Sequence, residues 1–189
     1  MPTTLLFVEL LISGSQTLIW VIILSLAVLG VPDVVATTFM KNNQAILLVL
    51  YMSISYTFGI LFDRLTDSIF SPLDKKYKSQ IIGNNSKSTM LIRLEIAKDN
   101  EYLHTRFEYY RSRIRIARNF TINILMLSIS LLLFVANRCN DWEKECKISI
   151  SIYIVIVTFS LFSISLYSWT KLTKSQLKLT NDQIGNDNE

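Results

Sequence analysis

Four blocks of apolar residues, each close to the length that crosses a lipid bilayer, constrain this chain more than any other feature. The hydrocarbon core is about 30 Å thick and a helix rises about 1.5 Å per residue, so about 20 apolar residues with few charges make one span. Residues 5–29 contain a single charge, Glu9, and end at Gly30 and Pro32, which punctuate a helix. Residues 44–62 contain no charge and are closed by Asp63 and Arg64. Residues 120–136 are short for a span, but snorkelling arginines before them lengthen it, and Asn137 and Arg138 close it. Residues 148–169 end at Tyr167 and Trp169, which suit the interfacial aromatic belt, with Lys171 just beyond. The expected fold class is an all-α integral membrane protein with four transmembrane helices. A cleaved signal peptide is the competing reading of the first block, because residues 34–36 are small. No Lys or Arg precedes that block, however, and it is longer than a usual signal core.

The Lys and Arg residues orient the spans, because short loops rich in them stay cytoplasmic. Residues 31–43 hold only Lys41, residues 137–147 hold three, residues 63–119 hold twelve and the tail after Trp169 holds three, out of 19. Both termini are therefore expected inside, along with the basic segment 63–119 and the polar tail 170–189. The loops joining the pairs of spans in 1–62 and 120–169 then face outward, and the location expected is the inner (plasma) membrane of a bacterial-type cell. Cys139 and Cys146 both fall in the second outer loop, an oxidising location, so a disulfide closing a small hairpin around Trp142 is expected, with two thiols as the alternative. His104 is the only histidine, and no zinc site or other metal site is expected.

Between the second and third spans, residues 63–87 read as a short interfacial helix followed by a loop at Gly83 to Ser86. From Ser88 or Thr89, good helix formers continue without Gly or Pro, which predicts one helix running on into the third span. Along it Ile96, Leu103, Phe107, Tyr110, Ile114 and Ala117 form a stripe with helical spacing, in which Asn100 takes a polar place. The stripe needs a partner, either residues 63–82 of the same chain or the same helix in other subunits. A homo-oligomer joined by a short cytoplasmic coiled coil is the expectation.

Several polar residues invite a functional reading. Arg111, Arg113, Arg115 and Arg118 precede the third span, where they meet anionic lipid headgroups or a soluble anion such as a nucleotide messenger. Asp63 and Asp67 share a helix face, and such a pair holds either Mg²⁺ with a diphosphate or an ion pair with Arg64. Glu9 and Gln16 share a face of the first span and read as pore-lining or packing groups, or, for Glu9, as an interfacial ion pair. Ser55 and Gly59 form a small-xxx-small pair. Ser160, Ser163 and Ser165, like Ser128 and Ser130, put hydroxyls on a span for packing or for a wet pore.

No nucleophile with its base, no cofactor fingerprint and no paired broken helices appear, so neither an enzyme nor a repeat-type carrier is expected, nor a cofactor, nor nucleic acid as partner. The expected function is a small oligomeric pore or membrane-perturbing effector gated through its cytoplasmic helices. The alternative is a non-conducting sensor or scaffold that recruits a soluble partner. A magnesium-dependent lipid transferase using Asp63 and Asp67 ranks last. In layout alone, with no motif matched, the chain is similar to the small four-span proteins of bacterial defence systems such as Kiwa. That likeness implies a part in defence or stress response and carries over no residue role.

Overall fold

The computed structural model describes residues 2–30, 43–83, 101–140 and 142–186. They form four helices, α1 (Pro2–Leu29), α2 (Gln44–Ile81), α3 (Glu101–Arg138) and α4 (Lys144–Asn186). Each contains a stretch long and apolar enough to cross a membrane. With 38, 38 and 43 residues, α2, α3 and α4 reach about 57–65 Å, nearly twice the thickness of a hydrocarbon core.

That length corrects two expected boundaries. The second helix does not stop at Asp63 and resume as a short interfacial one; α2 runs unbroken to Ile81 with Pro72 inside it. Charges end an apolar window without ending a helix. Proline removes one backbone donor, and here Phe62, Thr66 and Phe70 hold the helix by keeping one buried face across Asp63. The fourth helix likewise passes Trp169, and the expected polar tail is helical to Asn186. Trp169, Thr173, Gln176, Leu177 and Thr180 are buried along one face of it, at spacings of four, three, one and three. Trp169 is fully buried within the chain, its ring 4.6 Å from that of Phe70 and 5.9 Å from that of Tyr77 on α2. The helix expected from residue 88 is seen from Glu101 onward and is continuous to Arg138, while Ile96, Asn100 and the proposed caps lie outside the described residues.

Helix α1 packs along both α2 and α3, and α3 packs along α4, with shorter contacts of α2 to α3 and α4. The α1 and α2 backbones nearly touch. A Cβ on Gly14 would lie 1.6 Å from the Ser55 carbonyl oxygen, and one on Gly59 would lie 2.0 Å from that of Leu10. Glycine at both crossings is therefore required, and Ser55 joins the contact by donating to the Leu11 carbonyl at 3.0 Å. At its far end α1 closes on Gly30, whose φ of 102° is a left-handed conformation suited to glycine. There Arg138 of α3 donates to the exposed carbonyls of Leu26 and Val28, at 3.1 and 2.9 Å.

The described residues of the stripe on α3 meet α4 of their own chain. Leu103 and Phe107 are buried, the Tyr110 hydroxyl lies 3.2 Å from Ser175 Oγ of α4, and the Ala117 carbonyl accepts from Ser165 Oγ at 2.9 Å. Ile114 is half-buried beside them. Cys139 is buried, Cys146 is exposed, and no disulfide joins them.

Candidate functional site: a charged core beneath an amphipathic cleft

The site begins with spacing on α3. Arg111, Arg115 and Arg118 recur at four and three residues and share a face, whereas Arg113 turns away and stacks over the exposed Tyr109, 5.2 Å from the ring centroid. On α2 the same rule puts Asp63 and Asp67 together, and on α1 it puts Glu9 one turn before Ser13. Packing of the three helices brings these faces into one cluster.

Within it Arg115 donates to Glu9 Oε2 at 3.1 Å and approaches Asp63 Oδ2 at 3.4 Å. Arg118 donates to Asp63 Oδ1 at 3.1 Å and to Asp67 Oδ1 at 2.5 Å. The expected partner of the two aspartates, Arg64, is not the one the fold supplies. Glu9 and Arg118 are almost wholly inaccessible, at 6% and 8% of side-chain surface, and because Arg115 is the cation beside Glu9, removing Arg115 strands that carboxylate away from water. Asp67, by contrast, is 63% exposed.

Below the arginines, a column of amides continues between the spans. Asn119 donates to Ser13 Oγ at 3.0 Å and to Asp63 Oδ1 at 3.2 Å, and it accepts a hydrogen bond from Thr66. One turn further, Asn123 accepts from Thr17 at 3.1 Å and from the Trp20 indole at 2.9 Å. Gln16 is met only at 3.4 Å, by the Asn123 amide. Thr121 and Ser165 pair at 2.8 Å across α3 and α4. Ser128 and Ser130 are buried. Ser160 and Ser163 face outward, bonded to the carbonyls of Ile156 and Phe159 on their own helix. They line no channel within the chain.

A cleft of about 630 Å³ opens above the ion pairs, walled by all four helices. Leu6, Leu10 and Ile60 make its apolar side, while Arg111, Arg118 and Lys75 are among its cationic groups. Two of its polar atoms, Arg118 Nε and Thr173 Oγ1, are buried without a hydrogen-bond partner. On the α3 side, the Ser175 hydroxyl, with Arg106 nearby, holds the Tyr110 phenol below its ordinary pKa. Among the described residues, no group of three or more His, Cys, Asp or Glu side chains is placed to hold a metal ion.

Asn119 and Asn123 were not singled out from the sequence, nor were Gly14 and Thr173. The signal for the first two was the four-residue spacing of two amides at the start of an apolar block, one just before it and one inside it, which matches the spacing of Ser13 and Thr17 on α1. Comparison with protein-family models, with curated proteins and with solved structures finds no match for this chain.

Proposed function

We propose that the chain is a multi-pass protein of the plasma membrane, with both termini in the cytoplasm, that works as a non-conducting sensor. Its charged half reads a ligand at the inner membrane surface and offers the outer faces of α3 and α4 to a soluble partner. The observation that carries this reading is the closed polar core. The amides and hydroxyls of Asn119, Asn123, Ser13, Thr17 and Thr66 are used on one another, so no axis lined by open polar groups remains between α1, α2 and α3. A pore would need such an axis. In an oligomer it would have to come from the outward faces of α4, where the Ser160 and Ser163 hydroxyls are already bonded to their own helix. The transferase reading is weaker still, because Asp63 and Asp67 are neutralised by guanidinium groups that Mg²⁺ would have to displace.

The test is an ion-flux assay on the full chain in liposomes, run with and without cell extract, alongside recovery of soluble proteins from the extract. No flux under either condition, with one soluble protein recovered in fixed ratio, is the expected result. Flux that disappears in the Gln16→Leu or Ser160→Ala/Ser163→Ala variants would overturn the sensor in favour of the pore.

A further inference from the structure

The cleft joins three properties seldom found together: an apolar wall, a surplus of positive charge and buried polar atoms left without partners. Six basic side chains line it against three carboxylates, and Glu9 behind Arg115 makes a fourth, leaving a surplus of two positive charges. Thr173 and Arg118 are only 6% and 7% exposed, yet Thr173 Oγ1 and Arg118 Nε bond to nothing. A buried polar group without a partner is costly, so a cleft lined by two of them is suited to something that supplies oxygen acceptors.

The exposed Asp67 marks the position that an anionic group would take on the terminal Nη1 of Arg118. Its carboxylate covers Arg118 Nη1 from the solvent side, at 63% exposure, while Asp63 holds the other terminal nitrogen from below. Asp67 is therefore a replaceable anion on a fixed guanidinium. A phosphate monoester carries about −1.5 to −2 charge near neutral pH and presents three oxygens, which matches both the surplus charge and the fork of an arginine. Leu6 and Ile60, each partly exposed at the mouth, continue the cleft onto the apolar outer surface of α1 and α2.

We propose that this cleft binds the terminal phosphate of a phosphatidic-acid-type lipid, the phosphate taking the place of the Asp67 carboxylate on Arg118 and the acyl chains leaving past Leu6 and Ile60. The proposal rests on the membrane placement proposed above, which puts the cleft at the inner headgroup level. Arg111 and Lys75 at the rim draw the phosphate in, and Thr173 donates to it from α4. Occupancy would tie α4 to α2 and α3 through the ligand.

The test uses the full chain in phosphatidylcholine nanodiscs doped with equal mole fractions of phosphatidic acid and phosphatidylglycerol, with native mass spectrometry counting the lipid retained. One phosphatidic acid per chain, kept in preference to phosphatidylglycerol, is expected. Arg111→Ala and Lys75→Ala should each weaken its retention by about fivefold, whereas Asp67→Asn should strengthen it by about threefold or more. Equal retention of both lipids, or weaker retention in Asp67→Asn, overturns the proposal. Displacement of the lipid by micromolar inorganic phosphate overturns the lipid source and leaves a soluble phosphate as ligand. The membrane placement is scored separately in cells, by labelling Lys76→Cys in a chain carrying Cys139→Ser and Cys146→Ser. Labelling only after the inner face is opened, with no lipid preference, condemns the cleft alone. Labelling from outside condemns the topology.

Discussion

Gly14 and Gly59 let backbones meet where any side chain would collide with a carbonyl, so a methyl group must push α1 from α2. Gly14→Ala should cost about 1–3 kcal/mol, read as a lower melting temperature in detergent, whereas Ser163→Ala on the outer face of α4 should leave it unchanged. Arg118→Met leaves Asp63 with Arg115 and Asn119 as its remaining partners, and a loss of about 2 kcal/mol in denaturant or thermal unfolding is expected. Asp67→Asn removes only a solvent-exposed partner and should cost less than about 1 kcal/mol. Of these residues the sequence marked Arg118, Asp63, Asp67, Ser163 and Gly59, but not Gly14 or Asn119. Composition alone grouped Arg113 with the other three arginines, although its place two residues from Arg111 turns it off their face. Gly14 could not be ranked without knowing that α2 crosses at its level, and the partners of Asp63 depended on how α3 lies against α2.

At the scale of elements, hydropathy located the four apolar stretches but not the ends of the helices that contain them. An apolar window reports where lipid can be met, while a helix continues as long as its backbone is bonded and one face is buried. This is why α2 crosses Asp63, and why α4 crosses Trp169 with Thr173, Gln176, Leu177 and Thr180 as its buried edge. Those residues are too polar to stand out by hydropathy, but their spacing is helical. The stripe on α3 was legible and its partner was not, because a face records that it is covered and not by what. Truncation after residue 171 should therefore uncover the first turns of α3. Amide exchange over residues 101–112 is expected to speed up by about tenfold, with residues 120–136 unaffected. Unchanged exchange over 101–112 would mean that α4 does not cover that stretch.

For the whole molecule, the interior is sealed by polar groups near the charged end and by backbone contact in the middle of α1 and α2, while much of the outer surface of α2 and α4 is apolar. The amides and hydroxyls between α1, α2 and α3 are bonded to one another, so a single copy is expected to be stable. Its mass in mild detergent, measured by light scattering with the detergent subtracted, should be that of one 21.8 kDa chain. A stable higher species would revive subunit assembly through the outward face of α4.

The uninterrupted length of α2, α3 and α4 has a mechanical consequence. A bilayer that thins or thickens changes the tilt of the helices crossing it. A stiff rod of about 60 Å moves its tip by about 1 Å for each degree of that tilt. With no break between the apolar and the ionic stretches of α3 and α4, under the membrane placement proposed above such a tilt would carry through to the spacing of their tips and to the width of the opening between them.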